Sequence, residues 1–398
     1  MKKLFFFAVA AVAMTAACSK QANLADSGAD GAFALESPVP VQFASNIGRV
    51  TTKGNGALDA WAGTESLYFF GIERLKDQQG ADSLNMETPF IKNVSELAPA
   101  IAAGESGRIT LYNPTVGTGH EEPYYYGNGN YEFFGYYLDD AGNPAETVLR
   151  TTPDTSYVAH ITIDGTQDVL VGYADRDTVF NRKGRLDPPV VVNKDRLFSA
   201  YAIRKWSAVP EMLFKHKLSR FDFYIRSGEV EAVNTIKVAG IKVESNTEAD
   251  LVVAGKHIYD GLQDMQNPQN LELKVKDGDN LVPLTPDNAI PAPAYDAEHP
   301  ADNDLRIDGN LLVMPGQQTY NLELTLTQDN ATVPSGSPQS MVIDFNKLIG
   351  GTTGNKFAEA GYAYKIILVV YKYREVEILV SLEEWKEGGS VVLDPDAE

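Results

Sequence analysis

A single cysteine, Cys18, in 398 residues excludes a disulfide within the chain. Histidine is almost as scarce. His120, His160, His216, His257 and His299 are never four apart and never in an HExxH, so no zinc-ligand spacing exists. His120-Glu121-Glu122-Pro123 is broken by its proline. No GxSxG elbow, Walker sequence or GxGxxG after a strand is present, and residues 127–132 lack the third glycine. The run ADNDLRIDG at 301–309 carries Arg306 and Ile307 where a calcium loop needs oxygen ligands, and reads as a solvated acidic loop. With no nucleophile–base set to name, neither catalysis nor a metal or other cofactor is expected. Basic residues are also few, 34 against 54 acidic. A net charge of −20 argues against nucleic acid, which needs clustered cations to neutralise phosphate.

What is present begins with an export signal. Met1-Lys2-Lys3 and the apolar run 4–17 form a charged n-region and an h-region too short to span a bilayer. Thr15-Ala16-Ala17 then precede Cys18, in the manner of a bacterial lipobox with Thr15 in place of the usual apolar residue. Residues 1–17 are expected to be a lipoprotein signal peptide and Cys18 the lipidated residue, an outer-membrane anchor. The small polar stretch 18–36 reads as a flexible tether.

Beyond the tether, strand signals recur. Val39, Val41 and Phe43 alternate with Pro40, Gln42 and Ala44. Strands are also expected at 66–72, 131–138, 157–163, 168–174, 220–225, 236–243, 271–275, 320–326, 364–373 and 376–382, bounded by Gly, Asn, Asp and Pro clusters. Many short strands without βαβ alternation define an all-β sandwich class. Short helices are expected around 91–103 and 343–350, and long surface loops at 113–130 and 283–304. Length and a change of pattern near 201–210 divide the body into domains 37–205 and 206–398.

Eight aromatic residues fall within 124–137. They could form a sugar platform, with Tyr126 and Tyr131 as its stacking rings, in a surface glycan-binding lipoprotein. Alternating aromatics packed on a core are the preferred reading. His216, entering a strand, reads as a hydrogen-bonded structural residue rather than a metal ligand.

The order of these pieces carries a resemblance. Cys18, then VPVQFASNIGRVTTKG and DAWAGTESLYFFGI, then YEFFGYYLDD, QDVLVGYAD, FKHKLSRFDFYI, LLVMPGQ and the closing AGYAYKIILVVY and SLEEWKEGG together resemble the fimbrillin family, the pilins of Bacteroidales type V pili. Gly316 stands in LLVMPGQ where many relatives run from Pro directly to Gln. The resemblance implies two transthyretin-like β-sandwich domains and export as a lipoprotein. It further implies maturation by a trypsin-like surface protease in the loop after the first strand, here with Arg49 and Lys53 as its basic residues. The implied partners are copies of the chain or other pilins, joined in a cell-surface fimbrium that serves adhesion.

Burial physics supplies a reason for such a cut. If 38–45 is an integral strand, losing Val39, Val41 and Phe43 forfeits roughly 4–9 kcal/mol of burial. Adjacent strands lose ladder partners at the same time, and the open edges recruit another strand. Val376, Ile378, Val380 and Leu382 alternate near the chain end, and since the resemblance implies that the C-terminal segment supplies the donor, 376–393 is the expected donor strand. Its plainer role is the last strand of the second domain.

Overall fold

The computed structural model describes residues 41–47, 61–76, 82–98, 107–110, 129–151, 154–176, 198–200, 202, 209–256, 258, 261–278, 280–328, 338–348, 357–372 and 375–383. They form an all-β sandwich fold built on three main sheets. The strands, in chain order, are β1 (Gln42–Ile47), β2 (Ser66–Lys76), β3 (Asp82–Leu84), β4 (Ile91–Leu97), β5 (Gly107–Thr110), β6 (Tyr131–Tyr137) and β7 (Val148–Arg150). There follow β8 (Ser156–Thr162), β9 (Leu170–Ala174), β10 (Glu211–His216), β11 (Ser219–Ser227), β12 (Ile236–Gly255), β13 (Leu262–Glu272) and β14 (Lys274–Asp277). The last are β15 (Asn280–Pro283), β16 (Ile290–Pro291), β17 (Leu305–Val313), β18 (Thr319–Gln328), β19 (Pro338–Asp344), β20 (Ala363–Lys372) and β21 (Glu375–Glu383).

The first sheet runs β3-β2-β6-β9-β10-β1-β5, with β4 also on β2. The second runs β17-β11-β20-β21, and the third β19-β18-β12-β8-β7 with β13 and β16 added to β12. β14 and β15 make a separate ribbon. Among the described residues two pairings are parallel, β1 with β10 and β11 with β20. In both, the partner lies far along the chain, as a parallel pair requires.

One apolar core joins the three sheets. Phe70, Ile72, Phe134 and Tyr136 of the first belong to one buried cluster with Tyr157, Leu251 and Val253 of the third and Phe221, Phe223 and Leu368 of the second. The first sheet is buried on its other face too, so all seven residues of β6 are enclosed. There Tyr137 meets Trp61 and Phe133 meets Phe198. A strand covered on both faces reads as a continuous apolar run, which explains YEFFGYY.

Two expectations are overturned. Residues 91–97, expected as the start of a helix, form β4 against β2. Asn93 sits there at φ 58°, opposite a register shift between Phe69 and Phe70. That bulge replaces strict alternation with spacing close to helical. The acidic run 301–309 is not a solvated loop throughout: residues 305–309 open β17, and Ile307 is fully buried. Around 343–350 only a 3₁₀ turn, Phe345–Lys347, appears among the described residues.

Candidate functional site

β1 is an inserted strand. It pairs parallel with β10, from Ala44 opposite Glu211 to Ile47 opposite Phe214. It pairs antiparallel with β5, from Gln42 opposite Thr110 to Ser45 opposite Gly107. β10 and β5 are therefore joined only through β1 among the described residues, and its hydrogen bonds run to both sides. Val41, just before it, is 0% exposed.

The strand beside it is strongly one-sided. In β10, Met212, Phe214 and His216 are buried while Glu211, Leu213 and Lys215 are half-buried. Phe214 lies across two glycines, Gly135 of β6 and Gly172 of β9. A β-carbon at Gly135 would meet the ring at 2.9 Å, and one at Gly172 at 3.1 Å. The two glycines are register partners, and Gly172 is also the partner of Phe214. Together they make a trough for the ring.

Trp61 closes this corner. Its ring is 1% exposed and meets Phe214 edge-on at 5.3 Å and Tyr137 at 5.8 Å. The residues after it are locked, because the main-chain N–H groups of Ala62, Gly63 and Thr64 all donate to the Glu65 carboxylate. The Ala98 N–H donates to the Glu65 carbonyl.

Polar groups tie the same corner together. His216 Nδ1 lies 2.9 Å from Asp168 Oδ2, fastening the end of β10 to the segment before β9. The Asp168 N–H donates to Asp139, whose other oxygen accepts from the Tyr137 hydroxyl at 2.8 Å. Burial raises the Tyr137 hydroxyl, and the Asp139 carboxylate raises it further. Burial likewise lifts Asp139 above the ordinary carboxylate range, against hydrogen bonds from Asp168 and Tyr137 that lower it. Nearby, Glu132 is enclosed by Arg74, by Arg176 with Nε at 3.2 Å, and by the Tyr173 hydroxyl at 2.6 Å. Sequence alone did not single out Trp61, Phe214, the two glycines or this ion-pair cluster. The glycine spacing inside two aromatic-rich strands was the available signal.

The other expected residues fall as follows. Phe43 lies in β1, with its main chain paired to Ile109. Cys18, Val39, Arg49, Lys53 and Tyr126 lie outside the described residues. Tyr131 is 2% exposed and packs on Phe90 at 4.8 Å, so its face is not open to a sugar. Val376, Ile378, Val380 and Leu382 share the face of β21 that turns toward the core. Val380 is buried, Val376 and Ile378 half-buried, and Leu382 is 41% exposed. Among the described residues β21 is an edge of its sheet, paired with β20 from Val376 opposite Val370 to Leu382 opposite Tyr364. No group of three or more His, Cys, Asp or Glu among the described residues could hold a metal ion.

The architecture is that of an all-β sandwich protein with a two-sided inserted strand. Among solved structures, its fold is similar to a fimbrial protein from Bacteroides vulgatus (12% identity, 87% of this chain and 99% of that one, TM-score 0.44). It is also similar to a candidate cell adhesion protein from Bacteroides uniformis (14% identity, 88% and 99%, TM-score 0.45). A third is the fimbrial anchor protein Mfa2 from Porphyromonas gingivalis (12% identity, 83% and 91%, TM-score 0.31). No family model and no curated protein matches the chain.

Proposed function

We propose that this chain is a fimbrial subunit of the fimbrillin type, a structural protein of a cell-surface adhesion filament and not an enzyme. It is exported as a lipoprotein through Cys18 and held at the outer membrane. A trypsin-like surface protease cuts at Arg49 or Lys53, and the released opening strand leaves a slot that a strand of another subunit fills. The donor is residues 376–393 of that neighbour.

The observation that carries this reading is the position of β1 between β10 and β5. Removing a strand from inside a sheet strips main-chain partners from both neighbours, at about 1–3 kcal/mol for each buried group left unpaired. Beside the slot lie the buried side chains of Met212 and Phe214. A foreign strand restores the ladder and the apolar cover together. An insertion of this kind joins unlike surfaces, so it propagates instead of closing on itself. The net charge of −20 keeps unassembled subunits apart.

The test is the double substitution Arg49→Ala and Lys53→Ala. The surface protein should stay full length by mass spectrometry, and filaments should vanish from electron micrographs. Normal filaments with an unchanged mature N-terminus would refute the reading.

A further inference from the structure

β5 ends the first sheet and hangs there on one neighbour. Gly107 to Thr110 pair with Ser45 to Gln42 of β1, and no other ladder among the described residues reaches β5. The strand on the far side of β1 is better held, because β10 also pairs with β9, from Met212 opposite Ala174 to His216 opposite Leu170. Losing β1 therefore takes one of two ladders from β10 and the single ladder from β5. A four-residue strand without a partner has nothing to fix its main chain, and its N–H and C=O groups turn to water.

The second residue of β5 gives that dependence a chemical meaning. It is Arg108, the register partner of Ala44 in β1. Between Lys92 and Arg150 the sequence holds no other lysine or arginine. A protease that cuts after basic residues has one target in that whole stretch. Such an enzyme takes its substrate as several residues of extended main chain drawn out of any ladder. Cleavage inside a strand accordingly follows the population in which that strand has left its sheet.

We propose that Arg108 is a second, conditional cleavage site for the same class of protease that frees β1. While β1 is in place, or another strand lies where it lay, β5 stays in the sheet and Arg108 is passed over. In a subunit that has lost β1 and captured nothing, β5 leaves the sheet and the Arg108–Ile109 bond is hydrolysed. Water supplies the hydroxyl that completes the Arg108 carboxyl group and the proton that completes the Ile109 amine. The break falls inside β5, so the strand can no longer close over an incoming chain. Unfilled acceptors are thereby withdrawn from assembly, and filled ones are spared. The inference rests on the strand-exchange reading and adds to it a fate for subunits that are never filled.

The experiment uses the full chain, an arginine-specific protease, and a synthetic peptide of residues 376–393, whose Lys386 such a protease spares. The chain is cut at Arg49, the piece carrying β1 is separated by size-exclusion chromatography, and digestion is continued under mass spectrometry. Fragments ending at Arg108 and beginning at Ile109 should accumulate. Over the same time they should be absent from the Arg49→Ala, Lys53→Ala double variant, whose β1 stays attached. The peptide Kd is measured by calorimetry on the Arg108→Gln variant, cut at Arg49 and freed of β1 in the same way. Peptide at about ten times that Kd should slow the Arg108 cut about tenfold, in step with the open population. Equal cutting in the double variant, or none in the chain freed of β1, overturns the proposal. Bound peptide that leaves the rate unchanged also overturns it, and strand exchange then stands. A chain freed of β1 that binds no peptide overturns strand exchange, and this inference with it.

Discussion

Phe214 lies across Gly172 of the neighbouring strand so closely that a β-carbon at 172 would stand 3.1 Å from its ring. The two are a single packing unit. The strand that borders β1 is seated by a ring filling space that only glycine leaves free.

Replacing Gly172 with Ala should therefore destabilise the protein by about 1–3 kcal/mol, the cost of forcing an extra methyl into a packed site. Urea unfolding measures it. Combining Gly172→Ala with Phe214→Leu should cost less than the sum of the two single changes, because the smaller side chain makes room. Additive effects would show that the two do not share the space.

The cluster around Glu132 gives a second outcome. Its carboxylate holds Arg74 and Arg176 and accepts from Tyr173. Glu132→Gln keeps the shape and removes the charge from between two guanidinium groups, so it should cost about 3–5 kcal/mol. Tyr173→Phe removes one hydrogen bond and should cost about 1 kcal/mol. The same urea titrations rank the two, and the reverse order would contradict the ion-pair account.

Asp304 sets an acid dependence. Burial alone would raise its carboxyl, but hydrogen bonds from Arg226 and Lys365 outweigh burial and hold it below the ordinary range. A carboxyl lowered on folding stabilises the protein fully above its unfolded value, near pH ~4, and loses that contribution as pH falls through the folded value. The stability gap between parent and Asp304→Asn should thus be constant from neutrality down to about pH 4. It should shrink as the solution is made more acidic. Thermal midpoints across that range test it.

Strands covered on one face, or apolar throughout, are legible from residue types: β2, β6, β11, β18 and β20 lie within a few residues of their expected places. β12 shows where letters stop serving. From Val243 to Leu251 its burial alternates cleanly, yet its inward residues include Ser245, Thr247 and Ala249. The first two are served in place: Ser245 accepts from the Met314 N–H and Thr247 donates to the Asn267 carbonyl. A polar side chain with a buried partner has no hydrophobic signature, so the strand was expected to end at 243. β17 failed in the same way, because Asp304 and Arg306 are held by ion pairs that sequence order does not reveal. The surroundings of β1 were only half legible. An alternating opening strand could be read from its letters, but Trp61, Phe214 and the two glycines meet only through pairings between β2, β6, β9 and β10.

The parallel alignment of β1 with β10 has a further consequence for any chain that takes β1's place. To use the same hydrogen-bonding groups, the replacement must point in one direction, as β10 does. Each junction then has a head and a tail, and every unit in a row faces the same way. A fibre so made has two chemically different extremities: at one the last slot stays empty, and at the other an unused chain end projects. Growth and termination would act on different surfaces of the same molecule.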